Sequence, residues 1–354
     1  MMNIAESYLR EFVAPKAVAI DSNPDALKDA LKGLGDRSLL ALRVPEAWGG
    51  SGVSEETFFS FQEMVARYSG ALAFLQTQHQ SAAGMLVQSH NDTLKRQYLP
   101  YMSSGQVLVG VGFSQLRRQG TPPVKAVPVE GGYQLEGEVP WVTGWGFFQA
   151  FIVGAALPDG GGVFGIVPFE KTSQEAGGAI AFSSPMPLAA MASTNTVTAY
   201  LKSWFLPQEC VLFVKPAGWI QENDKKNVLH HGFFALGCAR AGLDILEAAS
   251  KTKPLPFITE AFKSLNQELT TCRAVIIQDK QQHTKTFTEK LQLRAWAIDL
   301  AVRCAHAGVT VSSGAANYSY HAAQRVYREA LVFTVSGQTI AVMEATLARL
   351  IRSC

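Results

Sequence analysis

The chain has 354 residues, 47% apolar and 17% charged, with 31 basic against 29 acidic side chains for a formal charge of +2. That length exceeds most single cores, so two or three structural units sharing an interior are expected. A balance this near neutrality gives no steering toward a polyanion and excludes nucleic acid as an expected partner.

The N-terminus, "MMNIAESYLREFVAPKAVAI", carries charges throughout and lacks a long apolar core with a small-residue cleavage site, so no signal peptide is expected. The first 110 residues read as helices. In "DALKDALKGLGDRSLLAL" leucines fall at 27, 31 and 34 and again at 39, 40 and 42, which predicts one apolar stripe along a helix. "VPEAWGGSG" breaks it, and helical spacing resumes in "EETFFSFQEMVARYSGALAFLQTQHQSAAGMLVQSH" and "DTLKRQYLPYMSSG". From residues 111 to 213 the period changes to two. "KAVPVEGGYQLEGE" predicts a hairpin around Gly131-Gly132, and "PWVTGWG", "FQAFIVGAAL", "GGGVFGIVPF" and "TVTAYLKSWFLP" continue as short strands. Residues 139–158 hold no charge, but their prolines, glycines and polar residues suit buried strands rather than a membrane span. Residues 214–354 return to helical spacing, with Leu229, Phe233, Leu236 and Leu243 on one face of "VLHHGFFALGCARAGLDILEAA" and three further helices of bundle length. Cys210, Cys238, Cys272, Cys304 and Cys354 are scattered and never form C-x-x-C, which argues against a disulfide framework or metal site and makes the reduced cytoplasm the simplest home.

Five phrases recur in a familiar order. "LRVPEAWGGSGVS" reads L-x-V-P-E-x-x-G-G-x-G, "QYLPYMSSGQ" is similar to Y-L-P-x-L-x-x-G-E, and "GEVPWVTG" to G-x-K-x-W-I-T-N. "ALGCARAGLD" is similar to A-L-G-I-A-x-x-A-L-D, and "ANYSYHAAQRVYREALVFTVSGQT" to G-Y-x-x-x-x-x-V-x-R-x-x-R-D-A-x-x-x-x-I-x-E-G-T. Together, across essentially the whole chain, they resemble the acyl-CoA dehydrogenase family. The resemblance implies an α+β architecture: an α-helical N-terminal domain, a β-barrel-like middle domain and a C-terminal four-helix bundle, assembled as a homo-oligomer, dimer or tetramer. It implies FAD between the middle and C-terminal domains, acyl-CoA or another acyl thioester as substrate, electron-transfer flavoprotein as a partner, and a place in fatty acid metabolism. In that chemistry a carboxylate removes the α-proton while the β-hydride passes to the flavin, and positioned donors hold the thioester oxygen.

Carried over residue by residue, Trp141 and Thr143 match the flavin-contacting W-x-T. A core aromatic is the plainer reading of Trp141. Ser114 falls at the Ser/Thr of T-E-P-G-x-G-S-D, but "FSQLRRQGTPP" keeps only Gly120 to let backbone amides approach a phosphate. Arg117 and Arg118 offer themselves as phosphate contacts or as a solvated loop. "SKTKPLPF" replaces the Arg-x-x-F-G stretch and suggests a short connection. "TVSSG" replaces Q-x-x-G-G and leaves Gly314. In "FTVSGQTIAVMEATLARLI", Thr339 matches the Thr of E-G-T and Gly337 falls on the catalytic Glu. The alternative position for that carboxylate, on the first bundle helix, is Asn227, and an amide cannot accept the proton. Gly337 retains a backbone N–H for a thioester oxygen. His230 and His231, three and four residues past Asn227 and expected on the same helical face, are candidate acceptors beside the plainer reading of exposed polar residues, as is Asp224. His79, Tyr133 and Trp145 carry no assigned role.

Three functions remain open on these residues: an FAD-dependent oxidoreductase acting on the CH-CH bond of an acyl thioester with a relocated base, a flavin-dependent monooxygenase needing no α-proton base, and a non-catalytic thioester binder or scaffold.

Overall fold

The computed structural model of the chain describes residues 1–351, so Cys354 lies outside the described residues. Six helices come first: α1 (Met2–Tyr8), α2 (Ala17–Ser22), α3 (Pro24–Gly35), α4 (Glu55–Tyr68), α5 (Gly70–Gln88) and α6 (Asp92–Met102). Each of α3 to α6 starts where a side-chain oxygen of Asn23, Ser54, Ser69 or Asn91 accepts a first-turn amide, the usual way to satisfy an orphaned donor. The leucine stripe expected to run through residue 42 stops at Gly35. Ser38 takes left-handed backbone (φ +55°) and the Leu39 N–H turns back to Leu34 O. Leu39, Leu40 and Leu42 are buried all the same, held in the loop after α3 by the Gln80 amide, which bonds Leu39 O and Leu42 N.

Nine strands follow: β1 (Val109–Gly112), β2 (Val124–Val129), β3 (Gly132–Val142), β4 (Ala150–Ala156), β5 (Gly162–Pro168), β6 (Thr172–Ser173), β7 (Ala179–Phe182), β8 (Val197–Pro207) and β9 (Val211–Lys215). They form one mixed sheet in the order β6-β7-β8-β3-β2-β4-β5-β9, with β1 parallel to β4. The β2–β3 hairpin pairs Val129 with Gly132, so its two loop residues are Glu130 and Gly131, one place earlier than the sequence suggests. β4 and β5, in the uncharged stretch, are buried along nearly their whole length. No helix among the described residues is long and apolar enough to cross a membrane.

The C-terminal part comprises α7 (Trp219–Lys226), α8 (Gly232–Thr252), α9 (Pro256–Gln282), α10 (Phe287–Ser312), α11 (Ala322–Val335) and α12 (Ile340–Leu350). α8 and α10 approach so closely that a Cβ at Gly242 would lie 2.5 Å from the backbone of Cys304; glycine is what lets the two axes meet. Pro256 opens α9 after a three-residue connection, the short link that "SKTKPLPF" suggests. A reciprocal capping box between Thr286 and Glu289 starts α10. Four cysteines are free thiols, and Cys238, Cys272 and Cys304 are buried.

Candidate functional site

The turn between α11 and α12 is where the likeness places the catalytic carboxylate. Ser336 ends α11, Gly337 follows with φ +61°, and the Thr339 side chain caps α12 by accepting from Val342 N at 3.2 Å. A left-handed φ favours glycine, but a second constraint is stronger. A Cβ at 337 would lie 2.5 Å from His231 Nε2 and 2.9 Å from its Cγ. The imidazole therefore occupies the volume that any side chain at 337 would claim. Among the described residues the Gly337 N–H has no acceptor.

His231 sits at the N-cap position of α8. Its Nδ1 is 2.9 Å from Ser336 Oγ, so it is tied to the turn by a hydrogen bond as well as by contact. Burial, then the cations Arg294 and Arg117, push its pKa well below the usual histidine range, which makes it neutral at physiological pH.

The expectation that His230 and His231 share one helical face with Asn227 is corrected. α7 ends at Lys226, with Asn227 as its C-cap, and α8 begins at Gly232. In the intervening turn the two rings diverge. His230 packs tilted against Phe59, ring centroids 4.5 Å apart, with Nε2 3.2 Å from Lys280 Nζ and 3.6 Å from Glu55. Since an ammonium can only donate, His230 Nε2 accepts from Lys280. Burial above all lowers its pKa, while the neighbouring His230 and then Lys280, which donates to the carboxylate at 3.0 Å, hold Glu55 down to about 2. A cavity of about 180 Å³ lies beside this trio, walled by Phe59, Phe233 and Ile277.

Ser114, itself exposed, opens a 3-10 turn that buries Gln115 and has Arg117 at its end. Neither reading of Arg117 holds: it is spent on a bidentate pair with Asp224 at 2.8 Å, which joins this turn to α7 and accounts for Asp224. Arg118 and Gly120 are exposed, and Gly120 has φ +89° with open space where a Cβ would go. Gly314 also faces open space, in the link between α10 and α11.

Trp141 lies where the β3–β8 register shifts between Val139 and Val142 and is 48% exposed. It is thus not the core aromatic of the plainer reading. Thr143 is buried, its Oγ1 3.0 Å from Thr196 Oγ1. His79 is fully buried, accepting from Val109 N at Nδ1 and facing Met102 O from Nε2, a structural role.

Two residues of this neighbourhood escaped the sequence reading. Ser336 is in the quoted turn but drew no role. Arg294, buried on α10, donates from Nη2 to Ser336 O at 2.8 Å. The signal was present: Arg294 heads the buried run Ile298, Ala301 and Ala305, a lone charge on an apolar stripe.

Residues 1–106 match the family described as acyl-CoA dehydrogenase, N-terminal domain. Mitochondrial isovaleryl-CoA dehydrogenase of Oryza sativa subsp. japonica is 30% identical over 216 residues, 58% of this chain and 51% of that protein, so the chain spans about half the length of that relative. Probable acyl-CoA dehydrogenase YngJ of Bacillus subtilis is 20% identical over a 371-residue alignment covering 98% of this chain and 95% of that one. The solved structure of butyryl-CoA dehydrogenase from Megasphaera elsdenii has a TM-score of 0.80 at 17% identity, covering 99% and 97% of the two chains. The first 106 residues thus match the N-terminal domain of the acyl-CoA dehydrogenases, and the whole chain, from end to end, has the acyl-CoA dehydrogenase fold.

Proposed function

We propose that the chain is an FAD-dependent oxidoreductase acting on the CH-CH bond of an acyl thioester, with His231 in place of the carboxylate. One observation carries this reading: the His231 ring fills the side-chain volume of Gly337, which supports His231 as the group that takes the proton. The chain offers features that suit a flavin. The exposed indole of Trp141 is a large apolar face without a partner, Thr143 and Thr339 supply hydroxyls, and the backbone at Ser114, Gly120 and Gly314 is open enough for phosphate oxygens to approach. When bound, the flavin would supply the hydride acceptor.

The remaining steps belong to the chain itself. With Nδ1 donating to Ser336 Oγ, His231 Nε2 is unprotonated and accepts the α-proton of the thioester. The free N–H of Gly337 donates to the thioester oxygen. The guanidinium of Arg294, beyond Ser336, lowers the energy of negative charge developing at that oxygen. Cytoplasmic location, self-association, a role in fatty acid metabolism and electron transfer to a flavoprotein partner accompany this reading.

The test is a visible spectrum of natively purified protein, titrated with FAD and then with a series of acyl-CoA thioesters. Flavin bands that bleach on thioester addition are expected. His231→Ala is expected to keep the flavin and lose turnover by roughly 10²- to 10⁴-fold; a colourless protein that refuses FAD overturns the reading. The same cations that lower the basicity of His231 favour one second reading, a flavin-dependent monooxygenase with no need of a base. Oxygen uptake by the reduced flavin without thioester oxidation would identify it.

A further inference from the structure

Arg294 is 1% exposed and unlike the other buried charges. Asp21 pairs with Arg328, Asp279 with Lys290 and Arg325 with Glu329. Arg294 has no ion-pair partner among the described residues; Nη2 bonds Ser336 O and Nη1 has no hydrogen-bond partner at all. Burial brings its pKa down only to about 9, so it is charged at neutral pH. A lone buried cation carries a large desolvation cost unless something answers it.

The free Nη1 faces Gly232, the first residue of α8. Beyond its own helix and chain neighbours, a Cβ at Gly232 would meet one heavy atom within 4 Å, Arg294 Nη1 at 3.9 Å. Gly232 is itself buried, so the free Nη1 meets the start of α8 inside the protein. α8 is 21 residues long and its N-cap supplies no side-chain hydrogen bond. Gly232 N and Phe233 N close turns onto Leu229 O and His230 O, so it is the positive end of the α8 dipole, rather than a set of free amides, that lies toward the guanidinium.

We propose that Arg294 Nη1 and the amino end of α8 form a binding site for one small monoanion, a halide or a carboxylate group. A water would satisfy the hydrogen bond but leave the charge uncompensated, and a doubly charged phosphate would leave an excess of negative charge beside a single buried cation. The bound anion would fix Arg294, and through its bond to Ser336 O the turn that carries Gly337.

The test needs no flavin, so its failure is separate from failure of the proposed reaction. Crystals of the full chain soaked in bromide are expected to show an anomalous peak beside Nη1; water alone at that position overturns the proposal. In solution at constant ionic strength, chloride, bromide or formate is expected to raise Tm by about 4 °C at a hundredfold excess over its dissociation constant, with no rise in bulky gluconate. Gly232→Ala places a methyl at ordinary contact distance from Nη1 and favours the helix. It is expected to fold and to lose the anion dependence. Equal Tm in every anion, or full dependence in the alanine variant, overturns the site. A bromide peak removed by excess succinyl-CoA assigns the seat to a ligand's carboxylate; one that persists assigns it to a free ion.

Discussion

Gly337 and His231 constrain one another, and a double-mutant cycle measures how strongly. Gly337→Glu would restore a carboxylate but meets the imidazole ring and the φ of +61° at once. It is expected to cost about 2–4 kcal/mol in urea unfolding. Combined with His231→Ala, the clash disappears while the backbone strain stays, so the pair should cost less than the sum of the single changes. If the proposed reaction holds, thioester oxidation should return in the double variant. His79 makes a second prediction. Burial lowers its pKa to about 4, against about 6.5 when unfolded. Between those values the unfolded chain binds a proton that the folded chain does not, so stability is full above about pH 6.5 and falls as pH drops toward 4, by about 3 kcal/mol. His230 and His231 shift in the same direction. Urea midpoints at about pH 7 and about pH 5 should differ accordingly, and His79→Gln should flatten part of the slope. The sequence marks Gly337 and His231 separately, but their contact could not be read from it. Spacing along a chain carries no distance between segments that only tertiary packing brings together.

At the scale of elements, α11 is held by charge as well as by apolar packing. Glu329, fully buried, accepts from Arg325 at 2.7 Å and from the backbone N–H of Gly70, the first residue of α5. One turn away, Arg328 pairs with the buried Asp21 of α2, which also receives the Met191 N–H. Two N-terminal helices, the loop before β8 and the bundle thus share one polar knot. Glu329→Ala leaves both Arg325 and Gly70 N without their acceptor, and should cost about 3–5 kcal/mol. Glu329→Gln keeps the hydrogen-bonding shape and should cost less; equal losses would show that packing, not charge, holds the joint. Elements with strong periodicity were readable: α4, α5 and α9 fall where the apolar spacing puts them. The errors sit at ends. α3 stops at Gly35 because Ser38 reverses the chain. α8 starts only at Gly232 because the preceding residues close turns, as from His230 N to Asn227 O, and pattern alone does not register such local reversals.

For the whole molecule, the order of helices, sheet and helices was readable because the apolar period changes from 3.6 to 2 and back. The strand order was not, since β8 inserts beside β3 across a long stretch of sequence and no local signal encodes that pairing. What the isolated chain leaves uncovered leads to the last prediction. Leu331 and Val335 on α11 are 54% and 56% exposed, and Ile340, Leu347 and Leu350 on α12 are 62%, 54% and 61% exposed. They recur at helical spacing, flanking the turn that carries Gly337, and an apolar face of this kind marks a contact surface. Self-association, which accompanies the proposed function, gives that face a partner in a second copy of the chain. A single chain of 38.3 kDa should then be the minor species at micromolar concentration, with Tm rising as protein concentration rises. Replacing Leu331 and Leu347 by Asp places charge in the contact and should shift the mass measured by light scattering to that of one chain, while far-ultraviolet circular dichroism stays unchanged. A native chain that scatters as a monomer at every concentration would instead leave this face for a different protein.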